Sequence, residues 1–226
     1  MATRYGPFIP GVTNGLVFYV DAAKRESYPG TGTTWYDLSG NGYNLTLTNG
    51  PTWNSSGYFA NDADSYFTGA GGGNIPTGND NYTMLVWARQ TTQWGSSGGL
   101  ISIGGYNVTN QSNALRTNST VGHFRHYWWG NDLDLLNNNA GLALNEWFTV
   151  AASFDGTTRR IWVNGISRAS DGATGHDVQS TTIQVSKTVG TEYQEGDIAV
   201  AVIYNRALSS DEMIQNYNAL KGRFGL

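Results

Sequence analysis

The sequence predicts an all-β sandwich with one short helix near its C-terminus, and three observations predict it. Only 13% of the 226 residues are charged, while the chain holds 30 Gly, 8 Trp and 13 Tyr and is rich in Asn and Thr. That composition favours short strands joined by tight turns, and long surface helices would need more Glu and Lys. Runs of strand-forming residues, several with period-two alternation, are punctuated by Gly, Asn and Thr, and a single segment near the end carries helical signals. A β sandwich of this length need not divide, so one domain is expected over residues 15–226, after an extended arm at 1–14. The apolar fraction of 39% is modest, but large aromatic side chains bury much area each and can supply a cooperative core.

Composition also excludes partners. A formal net charge of −4 with no basic cluster lacks the electrostatic footprint of a nucleic-acid binder. With no Cys, disulfide staples and thiolate metal sites are ruled out. No apolar run has the length of a membrane span, and no h-region marks a signal peptide. The expectation is a protein made in a host cytoplasm, which would reach the outside only by another route, such as incorporation into a virus particle released by lysis.

The arm contains Pro7 and Pro10 without any period, and reads either as a docking element or as a strap over its own domain. The first strand follows at 15–22. Strands are next expected at 82–89, 100–103, 122–129, 147–154, 160–164, 182–187 and 197–204. The Gly-rich segment 69–73 sits between aromatic-rich strand material and reads as a mobile loop within the domain. Asn164-Gly165 between two strand runs predicts a type I′ hairpin turn. In the last strand, period two places Ile198, Val200, Val202 and Tyr204 on one face, opposite Ala199, Ala201 and Ile203. A helix is expected at 209–220, with Ser209 as N-cap, Glu212 closing a capping box, and Leu208 with Met213 as hydrophobic staple. Met213, Tyr217 and Leu220 form its packing stripe, and Gly222 is expected to end it.

Several motifs suggest chemistry. The loop Trp35-Tyr36-Asp37-Leu38-Ser39-Gly40-Asn41-Gly42-Tyr43-Asn44 offers side-chain oxygens from Asp37, Ser39, Asn41 and Asn44, which can seat a cation or a sugar or satisfy the loop's own amides. Gly95-Ser96-Ser97-Gly98-Gly99 matches a nucleophile elbow only formally, since a strand and not a helix is expected after it. His123 and His126, three apart in a strand, face opposite ways and share no third ligand, so with His176 they read as surface or rim residues. Glu195-Gly196-Asp197 begins the carboxylate pattern of some polysaccharide-cleaving sandwiches and then lacks the second Glu, which argues against hydrolysis. Glu192, Glu195 and Asp197 read instead as a solvated strand entry or as help for a cation. Trp128, Trp129, Tyr127 and Trp94 suggest sugar stacking, because an aromatic face supports the apolar face of a pyranose. Adjacent residues in a strand point oppositely, so at most one of Trp128 and Trp129 lies in the core, and the other serves a ligand or a subunit interface.

Three blocks together resemble the laminin-G-like, concanavalin A-like jelly-roll family. They are Gly15-Leu-Val-Phe-Tyr-Val-Asp21 running into the Asp37–Gly42 loop, Trp147–Gly156 with Ile161-Trp-Val-Asn-Gly165, and Gly196-Asp-Ile through Tyr204-Asn-Arg-Ala-Leu-Ser-Ser-Asp-Glu212. The resemblance implies two curved antiparallel sheets packed face to face, often with structural calcium, for which Asp37, Asn41 and Asn44 are the metal candidates by position. The chain departs from many members in having Ala199-Val200 where they carry an Asp-Glu pair. The segments 27–35 and 216–225 are further similar to stand-alone proteins of tailed bacteriophages. That likeness implies a non-enzymatic virion structural protein, docked to other virion proteins through its arm, possessing a surface that touches polysaccharide, and able to form homo-oligomers. The competing expectation is a carbohydrate-binding module or lectin.

Overall fold

The computed structural model describes residues 11–62, 64–92, 98–118, 120–188 and 190–226. Among the described residues, sixteen strands and one α-helix follow in order: β1 (Leu16–Asp21), β2 (Thr34–Trp35), β3 (Leu45–Thr48), β4 (Thr52–Asn54), β5 (Tyr58–Asn61), β6 (Tyr66–Gly69), β7 (Tyr82–Arg89), β8 (Gly98–Gly104), β9 (Ser112–Thr117), β10 (Phe124–Tyr127), β11 (Leu133–Leu135), β12 (Trp147–Phe154), β13 (Thr158–Val163), β14 (Ile166–Gly172), β15 (Ile183–Val185), β16 (Gly196–Tyr204) and α1 (Ser210–Leu220). They form two antiparallel sheets. The first runs β14-β13-β12-β7-β16-β5-β4, and β1 shares with β5 the edge of β16 away from β7. The second runs β11-β10-β9-β8-β15-β6-β3-β2. This is the two-sheet, concanavalin A-like jelly-roll sandwich with one short C-terminal helix.

Between the sheets lies a core that includes Phe18, Trp35, Phe59, Phe67, Met84, Phe124 and Phe148. A second apolar layer covers the far side of the first sheet, where Tyr19, Trp87, Trp162, Val202 and Tyr204 meet Met213 and Leu220 of α1. The first sheet is therefore buried on both faces, as the near-continuous burial of β7, β12 and β16 requires.

The helix start is as expected: the Ser209 side chain accepts from the Glu212 amide, and the Glu212 carboxylate accepts from the Ser209 amide. Its end differs. The chain passes Gly222 in a 3-10 turn, Lys221–Phe224, and the left-handed residue that closes it is Gly225, φ 76°. The extra turn brings Phe224 onto Trp87, with centroids 4.4 Å apart, so packing overrides the glycine signal. The last strand also differs, because a bulge between Ile198 and Val200 breaks period two. Ile198 consequently shares the inter-sheet core with Ala201 and Ile203, while Ala199 joins Val200, Val202 and Tyr204 beneath the helix. At Asn164-Gly165 both φ values are positive, 51° and 78°, as the type I′ turn demands. Gly71, within the segment read as a mobile loop, donates to the Thr181 carbonyl at 3.0 Å.

Residues 1–10 of the arm lie outside the described residues. Its last part is stitched to the domain: the Val12 amide donates to Asn216 Oδ1 at 2.9 Å and the Val12 carbonyl accepts from the Tyr204 hydroxyl at 3.0 Å. Among the described residues no helix is long and apolar enough to cross a membrane.

Candidate functional site

Strand β10 is the element that builds the site. It pairs with β9 so that Leu115 opposes His126 and Ala114 opposes Tyr127. Leu115 belongs to the inter-sheet core, so alternation turns His126 inward and Tyr127 outward. The expected strand at 122–129 is shorter than foreseen and ends at Tyr127. Beyond it the Trp128 amide donates to Asp132 Oδ1 at 3.0 Å, and Trp129 takes a left-handed φ of 63°. Non-glycine residues adopt that conformation only where surrounding contacts hold them.

These two tryptophans part company. Trp128 is wholly buried. Its ring stacks on His176 at 3.9 Å and 4°, lies 4.3 Å from the Arg159 guanidinium, and donates from Nε1 to the Tyr82 hydroxyl at 2.8 Å. It is a core residue, which corrects its assignment to sugar stacking. Trp129 is half-buried and reaches the surface, with its centroid 4.6 Å from Tyr106 and 5.6 Å from Tyr127. Tyr106, in the β8–β9 loop, is 46% exposed. Tyr127 is mostly covered, and the Arg116 guanidinium lies 4.2 Å from its ring centroid while pairing with Glu192. Burial first of all, only partly opposed by Arg116, pushes the Tyr127 phenol up to about 12. Trp94, the fourth expected stacking residue, and the serines of the formal elbow motif lie outside the described residues.

Tyr106 and Arg116 escaped the sequence reading. Tyr106 stands in a polar loop whose aromatic neighbours are far along the chain, and only the pairing of β8, β9 and β10 brings them together. Asn110 ties this end of the fold together. Its amide donates to the Trp129 carbonyl at 3.3 Å, its Oδ1 accepts from Asn131 at 3.0 Å, and its carbonyl accepts from the Asp177 amide at 2.9 Å. Val178 in turn pairs with Gly78, beside an open, largely polar cleft of about 480 Å³ lined by Asn74, Asn79, Asp80, Asn81 and Asn205 among others.

The histidines correct another expectation. His126 and His176 are buried, not at the rim, because Tyr82, Trp128 and Phe154 close over them. His123 alone sits near the surface, 3.7 Å from Asp134. Of the three carboxylates, Glu195 is exposed, as a solvated strand entry would have it, and Glu192 is half-buried, but Asp197 is not solvated. Asp197 is buried against Arg89, 2.5 Å away, and burial raises its carboxyl despite that partner.

The structure does bring Asp37, Asn41 and Asn44 together, but their oxygens already serve the loop. Asp37 accepts from the Tyr19 and Ser39 amides through Oδ1 and from the Ser39 hydroxyl and Tyr43 amide through Oδ2. Asn44 Oδ1 accepts from the Asp37 amide, and Asn41 Oδ1 accepts from Asn74. At Asp37, whose two oxygens each accept two donors, a calcium ion would have to displace some of them. Among the described residues no three His, Asp or Glu side chains gather as a metal cluster.

The fold is that of a concanavalin A-like sandwich, and comparison with known proteins agrees. Residues 61–213 match the family model Laminin_G_3, described as the Concanavalin A-like lectin/glucanases superfamily, and the chain belongs to that superfamily. No curated protein sequence matches it. Among solved structures it resembles the binding domain of botulinum neurotoxin serotype D, with a TM-score of 0.69 and 13% identity over 92% of this chain and 52% of that one. The ligand-binding domain of the same serotype in complex with N-acetylneuraminic acid is similar at 0.69 and 13%, over 92% and 51%. The sialidase of Trypanosoma rangeli in complex with sialic acid is similar at 0.69 and 12%, over 92% of this chain and 33% of the enzyme. The chain thus spans about half the length of the toxin domains and a third of the sialidase, and at these identities the likeness shows the fold.

Proposed function

We propose that this protein is a non-catalytic carbohydrate-binding domain whose contact surface is the aromatic platform of Trp129 and Tyr106. The observation that carries the reading is the exposure of Tyr106 against a Trp129 ring held in a left-handed backbone. A rigid aromatic surface gives the apolar face of a pyranose something to lie on, and the exposed Asn107, next to Tyr106 in the chain, offers a donor and an acceptor for hydroxyls. The structural neighbours bound to N-acetylneuraminic acid and sialic acid support the ligand class. The reading is non-catalytic because Asp197 is spent on Arg89 and Glu192 on Arg116, leaving neither as a matched acid and nucleophile. A glycan array tests it. Binding that is lost in Trp129→Ala and Tyr106→Ala is expected, and binding untouched by both would refute the platform.

The second reading places the domain on a virus particle, as the likeness of segments 27–35 and 216–225 to phage proteins implies. Its supporting observation is the fixed seat of Gly11 and Val12 on α1, a firm departure point for an arm that meets a neighbouring protein. Deleting residues 1–10 should abolish incorporation while leaving the melting temperature unchanged; particles that take up the shortened chain normally would sink that role.

A further inference from the structure

Beneath the platform lies a chain of buried polar groups whose proton positions follow from donor chemistry. Trp128 Nε1 can only donate, so the Tyr82 oxygen accepts from it at 2.8 Å. The Tyr82 proton is then directed at His126 Nε2, 2.6 Å away. His126 is thereby an acceptor at Nε2 and carries its proton on Nδ1. His176 Nε2 lies 3.2 Å from the Ser112 carbonyl, which can only accept, so that nitrogen bears the proton of His176. Both Nδ1 atoms are buried without a hydrogen-bond partner. Each imidazole is neutral, and protonation of His176 would put on its Nδ1 a buried donor with no partner to receive it. A proton on His126 Nε2 would also leave the Tyr82 hydroxyl hydrogen without its acceptor.

The surroundings oppose positive charge as well. Arg159, 1% exposed, lies against Trp128 from β13 and is matched by Asp171 of β14 at 2.6 Å. From β7 comes Tyr82, from β12 Phe154, and from the turn after β10 Asp132, whose carboxylate is taken by the Trp128 amide. Asp177, next to His176, has a field that favours a charged His176, and its own Oδ1 accepts from Gln179. Protonating both rings would set three cations around one indole, while Asp171, Asp132 and Asp177 are already engaged by Arg159, the Trp128 amide and Gln179.

These same groups hold the loops of the platform. Trp128 precedes Trp129, Arg159 donates to the Asn131 carbonyl at 2.5 Å, and His176 precedes Asp177, which is bonded to Asn110. We propose that the buried pair His126 and His176 is an acid-sensitive latch: neutral, it holds the loops at 105–111, 128–132 and 173–178 in place, and protonated, it lets them open and dissolves the Trp129–Tyr106 platform. That the opening would release a sugar rests on the glycan reading; the latch itself does not.

The direction follows from linkage. Burial, with Arg159 adding to it, lowers both rings, His176 to about 4. An opened loop restores ordinary histidines and binds more protons, so the closed form is fully favoured above the unperturbed value and loses ground as pH falls toward about 4. For His176 alone, going from pH 8 to pH 4.5 should shift the closed–open balance roughly fifty- to a hundredfold toward open. Amide hydrogen exchange, corrected for its intrinsic pH dependence, reads this without any sugar present, so a failed latch and a failed glycan assignment are told apart. Protection should fall by that factor in the three loops while β7 and β16 keep theirs. His176→Gln, which retains a donor for the Ser112 carbonyl, should remove the His176 share of the response and so reduce it, whereas His123→Gln should leave it unchanged. Equal protection at both pH values, or loss in the loops only together with β7 and β16, would overturn the latch. Should the His176 variant not fold, NMR titration of the wild-type imidazoles decides: values near 6.5 for both His126 and His176 in the folded protein would also overturn it.

Discussion

Replacing Trp128 by Ala distinguishes the core from the exposed aromatic platform. Removing a fully buried indole costs about 3–5 kcal/mol for the transferred atoms and the cavity left behind. The Nε1 bond to Tyr82, at 2.8 Å, adds about 1 kcal/mol, because the hydroxyl loses one of its two partners in a dry site. The His176 stack and the Arg159 contact disappear with the ring, leaving a buried guanidinium with less to lie on. A total of about 4–6 kcal/mol at about 2–4 °C per kcal/mol for a chain of this size lowers Tm by about 10–20 °C. Trp129→Ala removes two edge contacts from a half-buried ring, about 1–2 kcal/mol together, and should lower Tm by only about 3–6 °C. Differential scanning calorimetry at neutral pH measures both. Equal shifts for the two variants, or a Trp128 variant that melts within 3 °C or so of wild type, would refute the division into core and platform.

Two further outcomes test the frame around the site. Gly165→Ala forces a Cβ onto a residue at φ 78° and to 3.2 Å from Ile214 Cα, so it should cost roughly 1–2 kcal/mol in urea unfolding, and an unchanged midpoint would contradict the tight seat of the hairpin against α1. Asp37→Ala removes the acceptor of four hydrogen bonds and should cost about 2–4 kcal/mol, equally in chelator and in calcium; a calcium-dependent rise in wild-type Tm that the variant lacks would show that an ion holds the loop instead.

What could be read from the chain alone was whatever neighbouring residues settle among themselves. The capping box of Ser209 and Glu212 closes over three residues, and Asn164-Gly165 needs only two, so both stand where the sequence places them. The bounds of β7 and β12 were legible because strands buried on both faces read as unbroken apolar runs. Even the division of Trp128 from Trp129 was foreshadowed by alternation, though not which of them goes inside.

The rest required the third dimension. One bulge in β16 moved Ile198 to the opposite face from Val200, a register change that no periodicity signals. His126 and His176, fifty residues apart in the chain, became buried partners around Trp128 because β7, β10 and β13 converge there, and neither histidine's neighbours in the chain signal that cluster. Tyr106 joined Trp129 for the same reason. Local rules act over a few bonds and determine turns, caps and strand runs. Which side chains share a pocket depends on strand order and register, and these are selected by the burial of the whole core.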